Sequence, residues 1–129
     1  MTFSITKNSD GSYIYHNNAP YVCANGVTIP DFYLQFETYG DIKSPVIVVN
    51  HALSTSCHLS SASGGPDKGW WENNVAANAS IDINKFFTIC IANLGGNFGA
   101  SNAANTTKDF PSLSILDLAK TQIMVLNAL

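Results

Sequence analysis

The hydrophobic positions of this chain change rhythm twice. Over residues 31–39 the side chains alternate, with Phe32, Leu34, Phe36 and Thr38 on one face and Tyr33, Gln35 and Glu37 on the other. A period of two predicts a half-buried strand, ended by Gly40-Asp41. Upstream, residues 12–16 and 21–24 are short β-prone runs separated by the turn-forming Asn17-Asn18-Ala19-Pro20. Asn25-Gly26 is a hairpin dipeptide of the kind that takes positive φ. Alternation then stops. Residues 45–50 and 86–92 are continuous apolar runs, the pattern of parallel strands covered on both faces.

Between those two runs, residues 54–69 are polar and rich in Gly and Ser. A loop of that length inside a compact domain is usually functional or disordered. A short helical segment is expected over residues 70–75. The last rhythm is helical: Ser114 with Asp117 three positions on forms a capping-box start, with Pro111 upstream. Ile115, Leu118, Ala119, Ile123, Leu126 and Leu129 follow on one face. An antiparallel β start, two buried strands and helical elements argue for an α/β sheet in a single domain over residues 1–129.

Composition narrows the function. The net charge is −3 and all six basic residues are Lys, nowhere clustered, which argues against a nucleic-acid partner. Cys23, Cys57 and Cys90 give neither a disulfide framework nor a zinc pattern, and suit a reducing cytosol. No signal peptide and no apolar run long enough to span a bilayer is present, so a cytoplasmic protein without a membrane partner is expected.

Acyl-transfer chemistry needs a nucleophile on a strand-to-helix turn, a base with its orienting acid, and an oxyanion hole. The two Gly-x-x-x-Gly windows centre on Asp67 and Asn97, and neither residue is a nucleophile. His16 reads as a turn residue. His51 follows a buried strand, and His58 adjoins Cys57, too near in sequence for in-line attack. His51, Cys57 and His58 lack metal-ligand spacing, so no metal is expected. The loop opening with His51-Ala52-Leu53-Ser54 sits where α/β-hydrolases place one backbone oxyanion donor, although a plain strand-ending loop has the same composition. The Gly-rich residues 94–101 lack phosphate-loop spacing and read as a structural loop.

Five blocks in order support a wider comparison. They are Phe36-Glu37-Thr38-Tyr39-Gly40; His51-Ala52-Leu53-Ser54-Thr55-Ser56-Cys57-His58; Gly69-Trp70-Trp71; Ile81-Asp82, with the run from Phe86 through Asn93-Leu94-Gly95-Gly96; and Phe110-Pro111 with Ser114-Ile115-Leu116-Asp117 and Gln122. This series resembles the N-terminal portion of the homoserine O-acetyltransferase family, from about residue 26 onward. Where the family has a "GPGk" turn, this chain has Ala76-Ala77-Asn78-Ala79.

The resemblance implies an α/β-hydrolase fold whose antiparallel start leads into a mostly parallel sheet, cut before the nucleophile-elbow strand. It implies transfer of an acetyl group from acetyl-CoA, a co-substrate rather than a bound cofactor, to L-homoserine through an acyl-serine. A homodimer and a place in methionine biosynthesis are implied as well. Of the family's site residues only Leu53 carries over, through its backbone N–H; the Ser-Asp-His triad lies beyond Leu129. The expectation is an N-terminal fragment, inactive unless a downstream polypeptide complements it. The alternatives are a non-catalytic binding or interaction module, and a small hydrolase using Ser or Cys with His51 or His58.

Overall fold

The computed structural model describes residues 2–106 and 109–129. Strands β1 (Phe3–Lys7), β2 (Tyr13–Asn17) and β5 (Phe32–Tyr39) form an antiparallel meander, with the short hairpin β3 (Tyr21–Val22) and β4 (Thr28–Ile29) between β2 and β5. Gly26 turns that hairpin at φ +85°. Strand β6 (Val46–Val49) comes next, then a 3-10 turn at Ser61–Ser63, the short parallel pair β7 (Val75–Ala76) and β8 (Ile81–Asp82), β9 (Phe87–Ile91) and helix α1 (Ile115–Ala128). The main sheet runs β1-β2-β5-β9-β6. Strand β9 lies antiparallel to β5 (Phe36 opposite Ile91) and parallel to β6 (Val48 opposite Ile89).

Strand β9 is buried along its whole length. Phe87, Ile89 and Ile91 join Tyr15, Phe32, Leu34, Phe36 and Val125 in one core, while Cys90 joins Tyr39, Val49, Cys57, Leu59 and Val75 in a second. The alternation read along β5 holds only to Phe36. Glu37, expected on the polar face, is 3% exposed, because the chain after β6 folds back over that end of the strand and brings Cys57 and Leu59 against it.

Three further expectations change. Residues 70–75 are not helical: the Trp71 N–H donates to the Leu59 carbonyl (2.8 Å), and the segment makes one turn before entering β7. Strand β6 is not covered like β9. Among the described residues no strand lies on its outer side, and Val46 and Val48 are 57% and 39% exposed. Helix α1 starts at the expected capping box but is rolled about its axis. It buries Asp117, Thr121, Gln122 and Val125, and leaves Ile115 81% exposed. Of the apolar stripe, Leu118 and Leu126 still pack against the core, while its outer side lines, with Val48, a groove of about 440 Å³ beside the β6 edge. Polar side chains win the buried face because each has a partner there: the Thr121 hydroxyl donates to the Asp117 carbonyl, and Gln122 Nε2 donates to Asn93 Oδ1 (2.8 Å).

Candidate functional site

Strands β6 and β9 are parallel neighbours, so the loops that follow them leave the sheet at the same end. In open α/β sheets ligands bind outside the carboxyl ends of the strands. The loop after β6 carries His51, Ala52 and Leu53; the loop after β9 carries Asn93, Leu94 and Gly95-Gly96. They flank a cleft of about 420 Å³ whose lining includes Leu53, Asn93, Gly95, Gly96, Phe110 and Leu113. Leu53 is 87% exposed, and among the described residues its N–H has no hydrogen-bond partner.

His51 ties the two loops together. Its Nε2 accepts the Asn93 N–H (3.2 Å), which leaves Nδ1 to carry the ring proton and donate to the Ala52 carbonyl (2.8 Å). This tautomer follows from the hydrogen-bond partners. With both nitrogens engaged in backbone contacts, His51 is no free base.

His58 is held by a different set of groups. Its Nδ1 lies 2.8 Å from Glu37 Oε2, and its Nε2 lies 2.8 Å from the Asp67 carbonyl. Both partners are acceptors, so both nitrogens donate and the ring is an imidazolium against a buried carboxylate. Tyr39 completes the cluster: its hydroxyl donates to Glu37 Oε2 (2.6 Å) and accepts the Leu59 N–H (2.9 Å). Burial by itself would lower the His58 pKa, but the hydrogen bonds to Glu37 and Asp67 and the Glu37 charge outweigh it and raise the value. Burial first, and then the bond to Glu37, push the Tyr39 hydroxyl far above its ordinary range. This is an acid–imidazole pair, and among the described residues no nucleophilic side chain bonds to the ring. Cys57 is buried at its side, its thiol driven upward by burial and by the Glu37 charge. Cys90 is pushed up to about 12, again mainly by burial.

His16 lies on β2 rather than in a turn, 3.5 Å from Asp31. The small-hydrolase arrangement is therefore not assembled: among the described residues, no Ser or Cys side chain hydrogen-bonds to the imidazole of His16, His51 or His58, and Ser56 Oγ accepts only the His58 backbone N–H (3.2 Å). The Gly-rich loop at residues 94–101 packs its backbone on β5, where the Gln35 N–H donates to the Gly99 carbonyl (2.6 Å) and Ala100 bridges Leu34. That is a structural loop.

The Gly69-Trp70-Trp71 block has a local explanation. A Cβ on Gly69 would collide with the backbone of Leu59 and Ser60, so only Gly lets these segments cross. The two indoles then stack at 5.4 Å, and Trp70 Nε1 donates to the Ser56 carbonyl (2.8 Å). The Glu37–His58 pair is not anticipated by the sequence, which sets His58 beside Cys57, as a candidate metal ligand and as the base of a small hydrolase, and never against Glu37. A carboxylate and a tyrosine two apart at the end of an apolar strand were the signal for a buried partner.

The antiparallel meander, the parallel β6–β9 pair and the loops at their shared end define a portion of the α/β-hydrolase fold. Helix α1 caps one face of that sheet. No family model matches the chain. Its sequence is 38% identical over 113 residues to a homoserine O-succinyltransferase of Psychrobacter arcticus, an alignment covering 76% of this chain and 25% of that protein. It is 30% identical over 126 residues to a serine O-succinyltransferase of Emericella nidulans, with 89% and 24% covered. The structure superposes on a homoserine O-acetyltransferase from Bacillus anthracis with a TM-score of 0.74 at 26% identity, covering 91% of this chain and 36% of the other. It superposes on esterase E22 at 0.74 and 21% identity, a likeness of fold alone. The chain is thus related to the homoserine O-acyltransferases, and it spans about a quarter to a third of the length of the curated relatives it matches.

Proposed function

We propose that this chain is the part of a homoserine O-acyltransferase-type enzyme that carries one oxyanion donor, the Leu53 N–H. The complete enzyme moves a short acyl group from a CoA thioester to the hydroxyl of an amino acid such as L-homoserine, by way of an acyl-serine. One observation carries the reading: the backbone N–H of exposed Leu53, without a partner among the described residues, at the carboxyl end of a parallel strand and beside a cleft. A donor aimed at a developing oxyanion is worth about 3–4 kcal/mol in the transition state when the rest of the site is in place. The rest of that site is not built from residues 1–129. The chain has no Gly-x-Ser-x-Gly, and His51 and His58 are both committed to other partners. Serine, acid and base must therefore come from outside these 129 residues. The three buried free thiols suit a cytosolic setting.

The test supplies that polypeptide in trans. Residues 1–129 with L-homoserine and either acetyl-CoA or succinyl-CoA release no free thiol. Co-expression with the triad-bearing remainder of a related homoserine O-acyltransferase restores release, and the better donor identifies the acyl group. Thiol release by the chain alone, or none from the soluble complemented complex, overturns the proposal. The second reading, a non-catalytic interaction module, is favoured by the apolar groove between β6 and α1. It gains if a partner is held there and no complemented complex turns over.

A further inference from the structure

We propose that His51 and Thr55 are positioning residues that fix the plane of the Ala52–Leu53 peptide, so that its N–H is preorganised for an oxyanion. The inference rests on the reading of Leu53 given above, and extends it to the side chains that hold the donor in place.

Three donors converge on the Ala52 carbonyl: His51 Nδ1 at 2.8 Å, the Thr55 N–H at 3.1 Å and the Thr55 hydroxyl at 3.1 Å. A trans peptide sets its C=O and N–H on opposite sides of one rigid plane. Holding the Ala52 oxygen toward Thr55 and the imidazole therefore turns the Leu53 N–H the other way, where it meets no partner among the described residues. A β-turn bond from Thr55 would do part of this alone. The imidazole adds a clamp from outside the turn, because the ring is itself gripped by the Asn93 N–H at Nε2 (3.2 Å). Asn93 is held in turn by Gln122 of α1 (2.8 Å). The orientation of the peptide is thereby set by three elements: the loop after β6, the loop after β9, and the helix.

The ring must be the Nδ1–H tautomer for both contacts to exist, since a backbone N–H cannot donate to a protonated nitrogen. An oxyanion donor contributes most when no reorganisation is left for the moment of reaction. That condition is met where three donors hold the Ala52 carbonyl.

The experiment uses the isotopically labelled chain of 129 residues and needs no turnover, so its failure is separable from failure of the acyltransferase reading. The imidazole nitrogens of His51 are expected to give a pyrrole-type shift at Nδ1 and a pyridine-type shift at Nε2. The reverse pattern overturns the proposal, whatever any variant does. The Leu53 N–H order parameter should be near 0.85 in the parent chain, and should fall below about 0.6 in the His51→Ala/Thr55→Ala variant. His51→Asn, whose side-chain amide reaches the place of Nδ1, should restore most of that order. A Leu53 N–H already mobile in the parent chain, or equally ordered in the folded double variant, overturns the proposal too.

Discussion

His58 and Glu37 are 21 positions apart in sequence, and their side chains meet at 2.8 Å inside the fold, pinning the start of the long loop to the end of β5. The imidazolium form is the one that satisfies both of its acceptors, and its folded pKa is raised. The stabilisation is therefore whole below the unfolded value of about 6.5 and is lost as pH climbs through the higher folded value. Urea melts from pH 5.5 to 9 should show the midpoint falling with rising pH across that window. In His58→Gln this fall should be absent, and an equal fall in the variant would assign it elsewhere.

Asp117 has a larger part than helix capping. Its Oδ2 accepts from the Ser114 N–H and hydroxyl, while its Oδ1 accepts from the Tyr21 hydroxyl (2.9 Å) and the Ala24 N–H (2.9 Å). One carboxylate thus locks the β3–β4 hairpin onto α1. The bond from Ser114 is the main cause of its lowered pKa, and the one from Ala24 also lowers it. Asp117→Ala should lower the thermal midpoint more than Ser114→Ala, because the latter leaves Tyr21 and Ala24 paired. The Asp117 contribution should also fade as pH falls through its depressed folded value, the sign opposite to that of His58.

Gly69→Ala should be among the most damaging substitutions in the chain. The added methyl meets backbone rather than a flexible side chain, and overpacking of that kind costs about 3 kcal/mol or more. Near-ultraviolet circular dichroism should show loss of the stacked Trp70–Trp71 signal together with stability. Retention of both would mean that the crossing is looser than described.

Thr88 lies fully buried on β9, and among the described residues its hydroxyl has no partner. Thr88→Val keeps the shape and removes the desolvated oxygen, so it should raise stability by about 1 kcal/mol. A loss instead would point to an ordered water on that oxygen.

The free edge of β6, beside the apolar groove of α1, should make the chain self-associate as concentration rises. Val48→Lys puts a charge on that edge and should shift sedimentation velocity toward the monomer. An unchanged distribution would locate association on another surface.

Much of the fold was legible in local chemistry. Strand β5, helix α1, the capping box and the Gly-bearing hairpin all depend on residues within a few positions of one another, and all are present as elements. What failed depends on distant segments. Glu37 looked like the polar side of an alternating strand because nothing local reveals that the chain near Cys57 returns to cover it. Only Leu118 and Leu126 of the α1 stripe reach the core, because Thr121 and Gln122 find buried partners that hydrophobic spacing cannot register. The acyltransferase blocks were legible as a series, yet the couplings between them, Glu37 with His58 and His51 with Asn93, are three-dimensional facts.

Strand β9 sits between two strands that precede it in sequence, and this imposes an order on synthesis. Ribosomes add about 5–20 residues per second, so the 52 positions between Tyr39 and Ile91 take roughly 3–10 s to emerge. Throughout that interval β5 waits with one apolar margin unpaired and β6 has no neighbour to align it. The nascent meander must be shielded by chaperones or outpace aggregation until its missing middle strand arrives.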